Sequence, residues 1–193
     1  MNLFKILRPK FALGLIRNIL LKIHFRDSLD INIFRTYFAP SVKIHVSGGG
    51  KIKFAHSGKR IYVADGCELT ASGGILNVGE GVFFNRNCTV VTHENIFIGA
   101  HCMFGSGVCI FDSDHAFDRL DIPFSEQGYK RTAVSLGENV WIGANTVITR
   151  GTQICRNVVV GANFLTKGTL DEAHVYGGNP LKMLRSIAPS QSN

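Results

Sequence analysis

The chain has 193 residues, 45% hydrophobic and 18% charged, one domain's worth of sequence with enough apolar material for a core, which excludes a disordered chain. Its net charge of +7 points to nucleic acid only until it is located. Lys5, Arg8, Lys10, Arg17, Lys22 and Arg26 precede the first acid, Asp27, and the remainder holds 15 basic against 14 acidic side chains, with no basic face for a nucleic acid to follow.

Residues 1–26 alternate apolar clusters with those basic residues. Pro9 starts or breaks a helix, leaving Lys10 to Phe25 as an amphipathic candidate. The apolar run from Phe11 to Ile16 is short, Arg17 interrupts it and no small-residue cleavage site follows, so a secretion signal is not expected; the segment is also too short and too charged to span a bilayer. Two readings remain: a helix that caps the open end of the following structure, preferred from the sequence, or one that rests on anionic lipid at the inner membrane face.

Residues 27–75 hold short alternating segments (Val42, Ile44, Val46; Ile52, Phe54; Ile61, Val63) separated by Gly48-Gly49-Gly50 and Ser57-Gly58. They read as irregular early turns of the repeat that follows, not as a second domain. From Val78 an aliphatic or Phe recurs every six residues, at Val78, Phe84, Val90, Ile98 and Phe104, with one slip of two residues after Val90. It recurs again at Leu136, Ile142, Ile148, Ile154 and Val160. Three residues after each stands Asn, Gly or His: Gly81, Asn87, His93, His101, Gly107, Asn139, Asn145, Gly151, Asn157 and Asn163. Those types tolerate positive φ. A period of six with a turn-former at mid-period describes short strands bent at regular corners, a β-solenoid. The repeat is suspended over residues 116–132, an extruded loop of the kind that carries function on a rigid scaffold. Leu181 to Ile187 is expected to form a short helix and residues 188–193 a frayed tail. The expected organisation is a basic segment over 1–26, a solenoid over 27–187 and the tail. Cys67, Cys88, Cys102, Cys109 and Cys155 are odd in number and lack a CxxC pair, which suggests free thiols in a reducing cytoplasm and no metal site.

The hexads, the stretch Asn139 to Ile148 (NVWIGANTVI), Asp112-Ser113-Asp114-His115 before the loop, and Gly177 to Pro180 followed by Lys182 and Arg185 resemble the hexapeptide-repeat acyltransferases. The likeness is nearest to the maltose/galactoside and the capsule or lipopolysaccharide O-acetyltransferases, and covers about residues 75–187. It implies an all-β, left-handed parallel β-helix, a homotrimer, acetyl-CoA as donor, a sugar or polysaccharide acceptor and a catalytic His at the subunit interface. The resemblance puts that base at His115, which also stands off the corner frame at the mouth of the loop, with Asp112 or Asp114 orienting its ring or meeting the acceptor. Acyl transfer from a thioester to a hydroxyl needs such a base, and a neutral imidazole serves.

By the same resemblance Asn85 contacts the acceptor, with His93 where the relatives carry an acid. Trp141, Gly143 and Ala144 line the pantetheine arm, with a backbone N–H near Ala144 facing the oxyanion. Ala162 and the Thr166-Lys167 pair continue that lining, although Gly161-Ala-Asn-Phe-Leu-Thr-Lys167 is one residue shorter than the family's motif and has Phe164 where the family has Ser. Lys182 and Arg185 are expected to meet the CoA 3′-phosphate. Acetylation of a surface polysaccharide or its precursor is the leading reading; a free sugar, amino sugar or xenobiotic acceptor is the alternative. Two other classes stay open: a γ-carbonic-anhydrase-like hydratase using His93, His101 and His115, and a non-catalytic solenoid.

Overall fold

The computed structural model describes residues 9–178 and 182–186, with side chains from residue 13 onward. From Leu29 the chain winds seven coils as a left-handed parallel β-helix of three flat faces. The first face stacks Leu29–Asp30, Lys51–Phe54, Ile75–Val78, Asn95–Ile98, Val134–Leu136, Gln153–Ile154 and Thr169–Leu170. The second stacks Thr36–Phe38, Ile61–Val63, Phe83–Phe84, Met103–Phe104, Trp141–Ile142, Val159–Val160 and His174–Gly177. The third stacks Lys43–Ser47, Glu68–Ser72, Thr89–Thr92, Cys109–Phe111, Val147–Ile148 and Leu165–Thr166.

In-register pairing turns each inward position into a buried column, such as Val63, Phe84, Phe104, Ile142, Val160 and Tyr176 on the second face. Strands alternate in and out, so the residue two before each block opener (Val140, Thr146, Thr152, Val158) is buried as well. The corner residues Asn139, Asn145, Gly151, Asn157 and Asn163 have φ of 55°, 56°, 75°, 59° and 64°. Their side chains also link coils: Asn139 Nδ2 donates to Asn157 Oδ1 at 2.8 Å. Residues 27–75 use the same three faces with strands of up to five residues and larger corners, which is why the six-residue period is not visible there. His93 departs from the expectation. It has no left-handed φ; it sits in a bend two residues longer than the regular corner.

The helix α1 (Pro9–Phe25) begins at Pro9, where a missing N–H costs nothing. It lies on the first coil, whose strands have no preceding neighbour and so present unpaired carbonyls. Asn18 Nδ2 donates to Ile33 O at 3.0 Å and Thr36 O at 2.7 Å, and the Arg17 guanidinium donates to Ala39 O and, at 2.6 Å, to Val42 O. At the other end the expected helix over Leu181–Ile187 is not formed. Lys182–Ser186 is a strand, antiparallel to His174–Gly177. The last coil leaves the edge of His174–Gly177 open, and Lys182–Ser186 supplies it with backbone partners. Residues 1–8, 179–181 and 187–193, which include the expected tail at 188–193, lie outside the described residues.

Candidate active site

Three corners join the faces: first to second, second to third, and third back to first. The candidate base lies on the third. In the third coil this corner is the bend Thr92-His93-Glu94, tied down by the fully buried Asp112 of the next coil. Asp112 accepts from Thr92 Oγ1 at 2.5 Å, His93 N at 2.7 Å and Glu94 N at 2.9 Å. In the fourth coil no corner is made. The chain leaves at Asp112 as the strand Ser113–His115 and returns antiparallel as Tyr129–Arg131, pairing His115 with Tyr129. Thr132 N donates to Asp112 O at 2.9 Å and closes the neck. The irregular part of the loop is therefore 116–128, bounded by a bond from Ala116 N to Gly128 O at 3.0 Å. Arg150, from the third corner of the fifth coil, braces the ribbon through Asp114 (Nε to Oδ2, 2.6 Å).

This ribbon assembles an open groove of about 590 Å³ walled by His93, Ser113, Asp114, His115, Phe117 and Tyr129 among others. The Tyr129 ring meets both imidazoles: its centroid is 4.5 Å from that of His115 and 5.0 Å from that of His93, the latter stacked at 19°. His93 Nδ1 and Ser113 Oγ are 2.9 Å apart. The exposed His115 ring makes no hydrogen bond among the described residues, so both nitrogens are open to a ligand. Neither Asp112 nor Asp114 hydrogen-bonds the ring: Asp112 is occupied beneath the His93 bend and Asp114 with Arg150, so of the two roles expected of them, orienting the ring or meeting the acceptor, these contacts do not supply the first. Tyr129 and Arg150 carry no sequence signal of their own. Tyr129 is separated from His115 by the frameless loop and Arg150 by the loop and two corners, and only strand pairing and coil stacking bring them in.

The remaining expected residues lie elsewhere on the prism. Asn85 is at the second corner, where its Oδ1 accepts from Arg86 N at 2.8 Å; it does not share the His115 groove. Gly143-Ala144 and Ala162 stack above it at the same corner. There the N–H groups of Ser106, Ala144 and Ala162, on three successive coils, have no partner among the described residues. A row of outward donors suits the carbonyl oxygens of an extended acyl-pantetheine arm. Trp141 is exposed on the second face. Thr166 turns inward as a core position, its hydroxyl donating to Val147 O at 3.2 Å, so its side chain is not available to a ligand. Phe164 folds over Gly161, and Lys167 stands exposed at the third corner. Lys182 and Arg185 are exposed on the terminal hairpin, where Arg185 pairs with Val175, in the outward column that contains Trp141 and Val159. His101 occupies the first corner with φ 60°, so it does not converge with His93 and His115. Among the described residues no three His, Cys, Asp or Glu side chains are grouped to hold a metal.

A family model described as the hexapeptide repeat of succinyl-transferase matches residues 133–165. WbbJ of Escherichia coli (strain K12), whose name assigns it to lipopolysaccharide biosynthesis as an O-acetyl transferase, is 30% identical over 179 residues, 89% of this chain and 86% of WbbJ. Rv3034c of Mycobacterium tuberculosis, named as an acetyltransferase, is 26% identical over 150 residues, 78% of this chain; the match spans about half (49%) of that protein. Among solved structures, a mutant of the N-acyltransferase AntD from Bacillus cereus, in complex with dTDP-4-amino-4,6-dideoxyglucose and coenzyme A, superimposes with a TM-score of 0.69 at 21% identity, covering 90% of each chain.

Proposed function

The chain belongs to the hexapeptide-repeat acyltransferases, and from that premise we propose that it transfers an acetyl group from acetyl-CoA to a sugar hydroxyl of a surface polysaccharide or its precursor. The observation that carries this reading is the His115 imidazole, exposed in a groove, held by ring contact with Tyr129 and free of any hydrogen bond among the described residues. In the proposed step His115 takes the proton of the acceptor hydroxyl as its oxygen adds to the thioester carbonyl. Backbone N–H groups at Ala144 or Ala162 face the oxyanion, and collapse expels the CoA thiolate, which recovers the proton from His115. No covalent enzyme intermediate is needed. The alternating aromatic and polar groove, with Tyr129 and Phe117 beside Ser113 and Asp114, suits the apolar faces and hydroxyls of a sugar ring. The similarity to WbbJ supports a polysaccharide acceptor.

A homotrimer belongs to the same proposal. The base is on the third corner and the donor-lining groups are on the second corner and second face, so a complete site draws on two copies. The second face carries an outward column of Tyr37, Tyr62, Phe83, Met103 and Trp141, all exposed, a continuous apolar strip of the kind that marks an interface. Thiol release from acetyl-CoA, measured with a panel of sugar acceptors, tests the reading. It should require an acceptor, and kcat should fall by roughly two to four orders of magnitude in His115→Ala, the range for a lost general base. Near-normal turnover in that variant would refute the role of His115.

A further inference from the structure

We propose that the helix-capped end of the solenoid docks on an anionic lipid bilayer, the outer face of α1 entering the interface and the basic end lying over the headgroups. The cap needs only the inward face of α1, which carries Gly14, Asn18, Leu21 and Phe25. The opposite face presents Leu13, Ile16, Ile19, Leu20 and Ile23, each between 40% and 66% exposed. Spacings of three and four residues align them in one stripe. Five large aliphatics this exposed bury little against the described residues, and a patch of this kind marks a contact with something else. Among the described residues no helix is long and apolar enough to cross a membrane, so the contact is interfacial.

Charge decides the occupant. Residues 9–62, the helix with the first coil and most of the second, hold ten Lys or Arg against Asp27 and Asp30; beyond residue 62 the described chain holds nine basic against twelve acidic side chains. The solenoid is thus polarised along its axis, strongly basic at the end that carries the apolar stripe. A second copy seated on the stripe would set two such ends against each other. An anionic surface attracts them, each Lys or Arg near it contributing to binding. His115 leaves the fourth coil, three coil spacings or about 14 Å above the first. With the thickness of the helix added, the groove stands roughly 20–25 Å from the surface. On the acyl-transfer reading above, that height suits a sugar on a chain extending from a lipid anchor.

Co-sedimentation of the full chain with vesicles tests the docking. The protein should partition onto phosphatidylcholine vesicles containing 30% phosphatidylglycerol at least about tenfold more than onto pure phosphatidylcholine, with the excess lost in 0.5 M NaCl. The combined variant Ile16→Asn, Leu20→Asn, Ile23→Asn should lose about tenfold of that partitioning while releasing thiol from acetyl-CoA with a soluble acceptor as wild type does. Absent binding to the anionic vesicles, or undiminished binding by the variant, overturns the proposal. So does a drop in oligomeric mass of the variant by light scattering, which would make a second copy the occupant. Vesicle binding without thiol release under any condition would overturn the catalytic reading and leave the docking standing.

Discussion

Replacing Asp112 separates a structural carboxylate from one that acts on substrate. Its side chain is fully buried and receives three hydrogen bonds of 2.5–2.9 Å from Thr92, His93 and Glu94. Bonds to a charged group contribute about 1.5–3 kcal/mol each, and donors left unpaired in the interior cost more than bonds never made. The three share one carboxylate and do not add fully, so Asp112→Ala should destabilise the protein by about 4 kcal/mol. For a chain of this size that lowers Tm by roughly 10 °C. Asp112→Asn should cost less, about 1–3 kcal/mol, because one oxygen still serves Thr92 and Glu94 while only His93 N loses its acceptor to the amide. Thermal unfolding measures both variants, and thiol-release kinetics run beside it. Turnover should fall along with stability, since the bend that carries His93 is loosened. An alanine variant that keeps its Tm and yet loses turnover would refute the reasoning and assign Asp112 to the acceptor.

Coil stacking yields a second prediction. A Cβ at Gly143 would lie 2.5 Å from the backbone N of Ala162 and from the carbonyl carbon of Gly161, so Gly143→Ala must force neighbouring coils apart and should cost about 3 kcal/mol in urea unfolding. At Gly128, where φ is 78° and no atom lies within 4 Å, the same substitution should cost only the backbone term of about 1–2 kcal/mol. The thiols give a third. Native protein at pH 8 should react with a disulfide reagent at Cys109 and Cys155 but not at the buried Cys67, Cys88 and Cys102. Burial pushes the Cys102 thiol up to about 11 from an ordinary 9.0. The folded state therefore holds this proton more tightly than the unfolded chain, so its contribution is present below pH 9 and is lost as pH rises toward 11. The denaturant midpoint should fall across that window, and a flat profile would contradict the assignment.

The regular coils are legible in the sequence because two independent physical demands repeat in one frame: an aliphatic column to fill the prism and a left-handed residue to turn its corner. Where either demand relaxes, the frame disappears. The coils before Val78 use longer strands and larger corners, and hide a geometry identical in kind. His93 matches the corner alphabet by residue type alone; its corner is two residues longer and is held by Asp112, a partner that no local pattern announces. Tyr129 reaches the site through an antiparallel ribbon closed across a frameless loop, a long-range pairing with no periodic signature. The apolar spacing from Leu181 to Ile187 suits a helix, but the open edge of His174–Gly177 offered backbone partners, and propensity yielded to them.

A prism of stacked coils is stiff, and this limits how one chain could run the proposed reaction. The groove with His115 and the outward N–H row at Ser106, Ala144 and Ala162 occupy different corners, and moving one toward the other would break the in-register ladders on every face. Closure of the loop does not bridge them, since its neck is fixed at Asp112, Thr132 and Arg150 on the His115 side. The remaining route is for a neighbouring copy to bring its second corner to this groove. The outward column from Tyr37 to Trp141 gives such a copy an apolar face to pack, and it borders the corner that carries the N–H row. The proposed assembly and the proposed chemistry therefore make one hypothesis: a variant that stays folded but monomeric should keep the His93–Tyr129–His115 contacts and lose turnover.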